Sequence, residues 1–366
     1  MLARSLLSTA PRMGIPLQEA TRETVAEAGR KNLSSSLGPM KAAMCIAYGD
    51  LTDAVRIVDV APPPPVPAAG EVLVSVRAAS VNISDLALLR GRPLAARLVT
   101  GWRRPKPTIL GHDFAGVITA VGADVSDFEE GQAVFGVCKG SCAEYACAAT
   151  IRLAHKPAEL TFEEAAALPV AGLTALQGLR DIGRLSEGDR VLITGASSGV
   201  GTFAVQIAKA LGGHVTAVCG RTSVDAVRSL GPQALINRDE EDYAARSDRY
   251  DLFFDLAGDR SLGVCRGLLS ARGRYVGAGV LAIQDSIMSV LSRVASLWAR
   301  SRVAKQPLSM YMARVKPNDL AALAALAASG QVRPVIDKVF ALDRAGEAYA
   351  YLAARHAHGK IAVRIA

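Results

Sequence analysis

Aromatic residues are scarce in this 366-residue sequence: eight Phe, eight Tyr and two Trp, 5% of the chain. Proteins that bind nucleic acid interleave aromatics with blocks of Lys and Arg. No such block occurs here, and a net charge of +8 is mild for this length, so nucleic acid is excluded as a partner. Long apolar runs are missing too. The longest stretch without a charge, 191–208, contains three glycines and would make a poor membrane span. There is no low-complexity tract and no internal repeat, which excludes a disordered linker or a solenoid. The six cysteines (Cys45, Cys138, Cys142, Cys147, Cys219, Cys265) have no secretory context, so reduced thiols in a cytoplasmic protein are expected. Half of the residues are apolar, enough to core two domains.

The densest information lies in 191–209, VLITGASSGVGTFAVQIAK. Arg190 to Thr194 is a short β-branched run, as expected of a strand covered on both faces. Gly195, Gly199 and Gly201 follow within seven residues. Phe203, Ala204, Ile207, Ala208 and Leu211 then recur at helical spacing, and Gly212-Gly213 ends the helix. Glycines let a backbone approach phosphates closely, and a helix N-terminus offers free N–H groups with partial positive charge. Ser198, Gly199, Val200 and Gly201 are therefore the predicted diphosphate cradle. The spacing departs from G-x-G-x-x-G, and a tight strand-to-helix turn without a ligand is the plain alternative.

A second strand, His214 to Cys219, completes a βαβ unit. An acidic residue at its end would bond the ribose 2′-hydroxyl of NAD, whereas Gly220-Arg221-Thr222 places a guanidinium there to pair with a 2′-phosphate. Arg221, with Arg238 after the strand Ala234 to Ile236, thus points to NADPH; the alternative is that both arginines are solvated.

Residues 41–165 are strand-rich, with Lys41–Tyr48, Val55–Val60, Glu71–Ala79 and Asp113–Val121 separated by Pro and Gly turns. The α/β part opens with a helix at Thr161–Leu168, where Thr161 and Glu164 form a capping box, and another at Leu173–Ile182. Later strands are expected at Leu252–Leu256 and Arg274–Gly277. Past 305 the pattern is a helix at Asn318–Ala328, a strand at Val335–Phe340, a helix at Ala345–Ala354 and a strand at Ile361–Ile365. The segment Leu281–Lys305 is apolar with four basic residues, and reads as a boundary helix rather than one lying on a membrane. Residues 1–39 have no periodic core face. Met1 to Met13 faintly resembles a transit peptide, but Glu19, Glu23 and Glu27 argue against one. The stretch reads as a mobile extension, or as upstream sequence ahead of a start at Met40.

GHDFAGVITAVG at 111–122, EGQAVFG at 130–136, AEYA at 143–146, AGLTALQGL at 171–179 and the glycine turn stand in the order seen in medium-chain dehydrogenases/reductases. From about Met40 onward the chain resembles their zinc-independent quinone oxidoreductase branch, the zeta-crystallin-like enzymes. The resemblance implies an α/β protein: a GroES-like β-rich domain (40–165), a Rossmann doubly wound parallel-sheet domain for NADPH (166–305), and a segment returning to the first (306–366). It implies Asn82, Asp85 and Thr174 around the nicotinamide as catalytic residues, and Gly258, Val276, Gly277 and Gly279 along the cofactor. For Asn82 and Asp85 the plain alternative is a loop-closing Asx turn.

The short-chain dehydrogenases have a similar glycine motif, but near the chain start and with a Tyr four residues before a Lys, a spacing absent here. Related alcohol dehydrogenases hold zinc with a Cys, a His and a further Cys or acid. His112 is kept, Asn82 stands where the Cys would be, and the spacing of Cys138, Cys142 and Cys147 fits no four-cysteine lobe, so no metal is expected and His112 reads as structural. The implied reaction is hydride transfer to a quinone or an enone, with hydrogen bonds stabilising charge on the carbonyl oxygen. The tyrosine that often follows Asn-x-x-Asp as a proton donor is replaced by Leu86 to Leu89. Alternatives are an enoyl-thioester reductase, with Arg90, Arg92, Arg97, Arg103 and Arg104 as a basic mouth, or a non-catalytic NADPH-binding protein. The family favours dimers or tetramers, so a homodimer is compatible with the sequence.

Overall fold

A computed structural model describes residues 38–91, 97, 101–278, 306–355 and 357–366. Most of the 1–39 segment, Arg92, Gly279 and the 281–305 stretch lie outside them.

Six strands form one wholly parallel sheet. They are β9 (Arg190–Thr194), β10 (His214–Cys219), β11 (Ala234–Asn237), β12 (Tyr250–Asp255), β13 (Leu269–Ala278) and β14 (Leu308–Tyr311). Their order, β11-β10-β9-β12-β13-β14, is that of a dinucleotide-binding Rossmann sheet, with the order reversing between β9 and β12. Helices cover both faces, which is why Val191, Leu192 and Ile193 can be apolar in succession and fully buried.

The other half is antiparallel in the main. A seven-stranded sheet contains β3 (Glu71–Ser80), β5 (Asp113–Val121), β6 (Ala133–Val137), β7 (Tyr145–Ala149) and β8 (Leu153–His155). It also takes β15 (Ile336–Ala341) and β16 (Lys360–Arg364) from the chain end, β16 pairing antiparallel with Ala78–Ser80. A small sheet of β1 (Met40–Cys45), β2 (Val55–Val60) and β4 (Thr108–Ile109) packs beside it. The protein is therefore α/β, with a GroES-like domain and a Rossmann-type parallel sheet.

Eight helices are used below. They are α1 (Ile83–Arg90), α2 (Phe162–Ala167), α3 (Pro169–Gln177), α4 (Gly199–Ala210), α5 (Val224–Ser229), α6 (Leu262–Gly267), α7 (Pro317–Ala328) and α8 (Ala345–Ala353). The expected capping box starts α2: the Glu164 N–H donates to Thr161 Oγ1 at 3.2 Å, and the Thr161 N–H to Glu164 Oε2 at 2.9 Å. The helix expected at Leu173–Ile182 begins earlier, because Pro169 needs no N–H partner in a first turn, and its last residues widen into a π turn at Gly178–Ile182. The Asn82 to Asp85 stretch, for which a loop-closing Asx turn is the plain alternative, caps α1, with Gly91 in the left-handed region closing it. Phe203, Ala204 and Ile207 of α4 pack with Val191, Ile193, Val215 and Phe254 in one core beneath the parallel sheet.

Candidate functional site

The glycine turn sits at the carboxyl end of β9, beside the point where strand order reverses. Gly195 turns the chain with φ +65°, and Ser198 caps α4 by accepting the Gly201 N–H at 3.0 Å. A Cβ on Gly201 would lie 2.1 Å from the Gly195 carbonyl oxygen, so that glycine lets helix and strand pack together. The Gly201 amide being already capped, the first-turn donors left to an anion are those of Gly199 and Val200. This cradle fits a diphosphate: open backbone donors at the positive end of a helix dipole.

Arg221 follows β10 and is two-thirds exposed; Arg238 follows β11 and is half exposed. The Arg238 guanidinium lies at the end of β10, where a Cβ on Gly220 would sit 3.8 Å from Arg238 Nε and 3.4 Å from Asp239 Oδ2. Acids share the spot. Asp239 accepts the Arg221 N–H at 2.7 Å, and Glu240 lies 3.5 Å from the Arg221 guanidinium.

Asp255, a residue the sequence reading passed over, ties the strand ends together. Buried at the end of β12, it accepts from Thr194 Oγ1, the Tyr275 hydroxyl and the Gly258 N–H, each at 2.7–2.8 Å. Gly258 is thereby held in a left-handed turn (φ +62°) on the rim of the crevice. Gly277 pairs with Asp255 on that rim, whereas Val276 points into the core. Gly279 is outside the described residues.

Across from the turn lies a buried polar network. Lys360 opens β16 and is 4% exposed. Its Nζ donates to Asn82 Oδ1 at 2.7 Å, with Asp113 Oδ2 and the Val81 carbonyl each at 3.4 Å. Asp113 also accepts from Asn82 Nδ2 (3.0 Å), Ser80 Oγ (3.2 Å) and the Val170 N–H of α3 (3.2 Å). Burial pushes the Asp113 carboxyl up and the Lys360 ammonium down; their mutual attraction and these donors oppose it. The neighbouring glycine links this network to the cradle. Gly359 N–H donates to the Ser197 carbonyl at 2.8 Å, and His358 Nδ1 lies 2.8 Å from Ser223 Oγ. Lys360 Cδ would be 3.0 Å from a Cβ on Gly199.

Asp85 is buried, and both its oxygens are engaged: Oδ2 accepts the Asn82 N–H at 2.9 Å, and Oδ1 lies 3.0 Å from His112 Nδ1. That hydrogen bond raises the His112 pKa above its ordinary value, against burial and Lys139, with the charges of Asp85 and Asp113 adding to it. The imidazole is half exposed. Thr174 donates its hydroxyl to the Val170 carbonyl at 2.7 Å, so it has only lone pairs to offer. Asn82 and Asp85 are thus buried and committed to partners, Thr174 is part-buried with its proton bonded, and His112, expected to be structural, is the most exposed of the four. Cys142 lies 3.8 Å from the Tyr349 hydroxyl, and burial pushes its thiol up to about 12. No group of three potential metal-binding side chains occurs among the described residues. Of the proposed basic mouth, Arg97 is committed elsewhere: it stacks 4.5 Å from the Tyr48 ring centroid and donates to the Gly91 carbonyl.

Two family models match the chain: an alcohol dehydrogenase GroES-like domain over 68–220 and a zinc-binding dehydrogenase over 230–363. A chloroplastic quinone-oxidoreductase QR1 of Triphysaria versicolor is 32% identical over 88% of this chain and 98% of its own length. The mitochondrial NAD(P)H oxidoreductase RTN4IP1 of Mus musculus is 30% identical over 81% of this chain and 82% of its own. The quinone oxidoreductase structure from Coxiella burnetii matches with a TM-score of 0.77 at 28% identity, covering 90% of this chain and 100% of that one. These relatives correct one expectation. They carry chloroplastic and mitochondrial names, which points to an organelle and away from the cytoplasm. No described helix is long and apolar enough to cross a membrane. Fold, site and relatives agree that the chain is an oxidoreductase of the medium-chain dehydrogenase/reductase superfamily, in its quinone oxidoreductase branch, with an NAD(P)-binding dehydrogenase fold.

Proposed function

We propose that the chain is an NADPH-dependent, zinc-independent reductase of quinones or other α,β-unsaturated carbonyls. The observation that carries the cofactor choice is the pair of arginines, Arg221 directly after β10 and Arg238 with its guanidinium at the end of that strand. They match a 2′-phosphate, whereas the carboxylate of Asp239 is turned onto the Arg221 backbone. Gly199 and Val200 would hold the diphosphate, and Gly258 and Gly277 would border the nicotinamide half. When bound, the reduced nicotinamide supplies the hydride. On this reading residues 40–165 with 306–366 hold the acceptor and 166–305 the cofactor.

Zinc independence rests on the side chains. The amide of Asn82 stands where a thiolate would serve, and the ammonium of Lys360 lies 2.7 Å from its oxygen. A second cation placed there would meet an amide already used and a positive neighbour.

The test is a screen of simple quinones, enones and enoyl thioesters with NADPH and NADH side by side. Oxidation of NADPH by quinones or enones is expected, with NADH slower. Arg221→Asp is expected to raise KM for NADPH at least tenfold and to spare NADH. Equal loss for both cofactors would remove the 2′-phosphate role, and a wild-type protein inert toward every acceptor would remove the reductase reading.

A further inference from the structure

We infer that His112 is the proton donor of this reductase: its imidazolium, held at Nδ1 by Asp85, delivers the Nε2 proton to the acceptor after the hydride has arrived. The inference rests on the reductase reading above and supplies a part that reading lacks.

Most polar groups at the site have no proton to give. Asn82 gives Nδ2–H to Asp113 and receives Lys360 at Oδ1. Asp85 is fully occupied and 2% exposed. Thr174 has bonded its only proton to Val170. Lys360 and Asp113 are sealed in the interior. His112 differs in both respects that matter: its side chain is 49% exposed, and among the described residues only Nδ1 of its two ring nitrogens has a partner. With Nδ1 toward a carboxylate, the proton available for transfer sits on Nε2.

Position supports the same assignment. His112 adjoins Asp113, whose carboxylate bonds Asn82, Lys360 and the start of α3. Lys360 in turn lies against Gly199 of the diphosphate cradle. Through Asp85, which caps the helix that Asn82 opens, the half-exposed His112 ring is tied to the network that runs from Asn82 through Lys360 to the cradle. The charged groups facing it are Asp85 from α1, Asp113 from its own strand and Lys139 from the loop after β6; the two carboxylates outweigh the lysine.

The step balances. Hydride addition to the β-carbon of an enone leaves an enolate carrying one negative charge. The Nε2–H bond breaks and an O–H or C–H bond forms on the enolate. The imidazole is left neutral, Asp85 stays ionised, and the exposed ring edge takes a replacement proton from solvent. With a quinone, the hydroquinone monoanion takes the proton in the same way. The acid form is required, so the rate holds below the raised pKa of His112 and falls as pH rises through it.

His112→Gln, whose amide can still donate to the buried Asp85 carboxylate, controls for the lost hydrogen bond in His112→Ala, which removes the donor at a half-exposed position. The kcat of His112→Ala with an enone is expected to fall on the order of a hundredfold at neutral pH. NADPH binding, followed by nucleotide fluorescence, is expected to stay unchanged. Added imidazole is expected to restore a large part of the rate, which a structural loss would not allow. The alkaline limb of the wild-type pH profile should vanish in the variant. Independently of turnover, NMR titration of the His112 ring should give a lower pKa in Asp85→Asn than in the wild type. A variant within twofold of wild type that keeps the alkaline limb would overturn the inference while leaving the reductase reading intact. Lost NADPH binding, or a rate that imidazole does not restore, would make His112 structural. A wild type inert toward all acceptors would instead defeat the reading beneath it.

Discussion

Lys360 is a buried cation whose nearest carboxylate, Asp113, is itself fully buried. Such a pair contributes little net stability, because desolvating two charges offsets most of their attraction. Breaking it is another matter. Lys360→Met would leave the Asp113 carboxylate without its cation, and a loss of about 3–5 kcal/mol in urea unfolding is expected. Asp113→Asn added to Lys360→Met should recover most of that loss, since an amide needs no counter-ion. A single-variant loss under about 1 kcal/mol would show that the carboxyl is already neutral in the folded protein. Neither residue announced itself in the sequence, because a lysine at a strand start usually reaches solvent. The usable signal was two opposite charges, each standing in an otherwise apolar run: HDFAGV at 112–117 and GKIAV at 359–363.

Among the elements, the turn from β9 to α4 shows how tightly geometry restricts composition. A methyl group on Gly201 would meet the Gly195 oxygen at 2.1 Å, well inside contact distance, and the obstacle is backbone rather than a movable side chain. Gly201→Ala must therefore push helix from strand. We expect a stability loss of about 1–3 kcal/mol together with much weaker NADPH binding, since Gly199 and Val200 move with the helix. Thermal denaturation with and without NADPH checks both parts; a stable variant that binds NADPH normally would show that the helix tolerates the shift. β9 and β10 were legible to the residue because buried parallel strands read as β-branched runs and the glycines punctuate them. Two elements were harder. Tyr145–Ala149 is made of small residues whose pairing with β3 decides its state. Ile83–Arg90 hides behind an Asn-x-x-Asp segment that suits a turn as well as a helix cap. The site is legible only in part: the glycine turn stands between β9 and α4 where its residues predict, while the burial of Asn82 and Asp85 depends on partners that spacing does not show, Asp113 at 31 residues from Asn82 and His112 at 27 from Asp85.

For the molecule as a whole, the last ten residues are the link between the halves. β16 lies between β15 and β3 in the antiparallel sheet. The two residues just before it reach the dinucleotide side, His358 to Ser223 and Gly359 to Ser197, while Lys360, its first residue, reaches back to Asn82. A ligand that stiffens the glycine turn therefore pulls on a segment woven into the other sheet. NADPH at a hundredfold excess over Kd stabilises the bound state by about 2.7 kcal/mol, and hydrogen exchange reveals where that stabilisation is felt. Slower exchange is expected at the Gly359 and Lys360 amides, which bond Ser197 and Val335, and at the Val81 amide, which bonds the Ile361 carbonyl at 3.2 Å. These sites lie outside the cradle, so their protection would require the coupling described. Protection confined to 194–222 would mean that the halves respond independently and that the chain end is only a tether. Protection extending to Val81 would make cofactor binding a step that also orders the Asn82 side of the crevice, before any acceptor arrives.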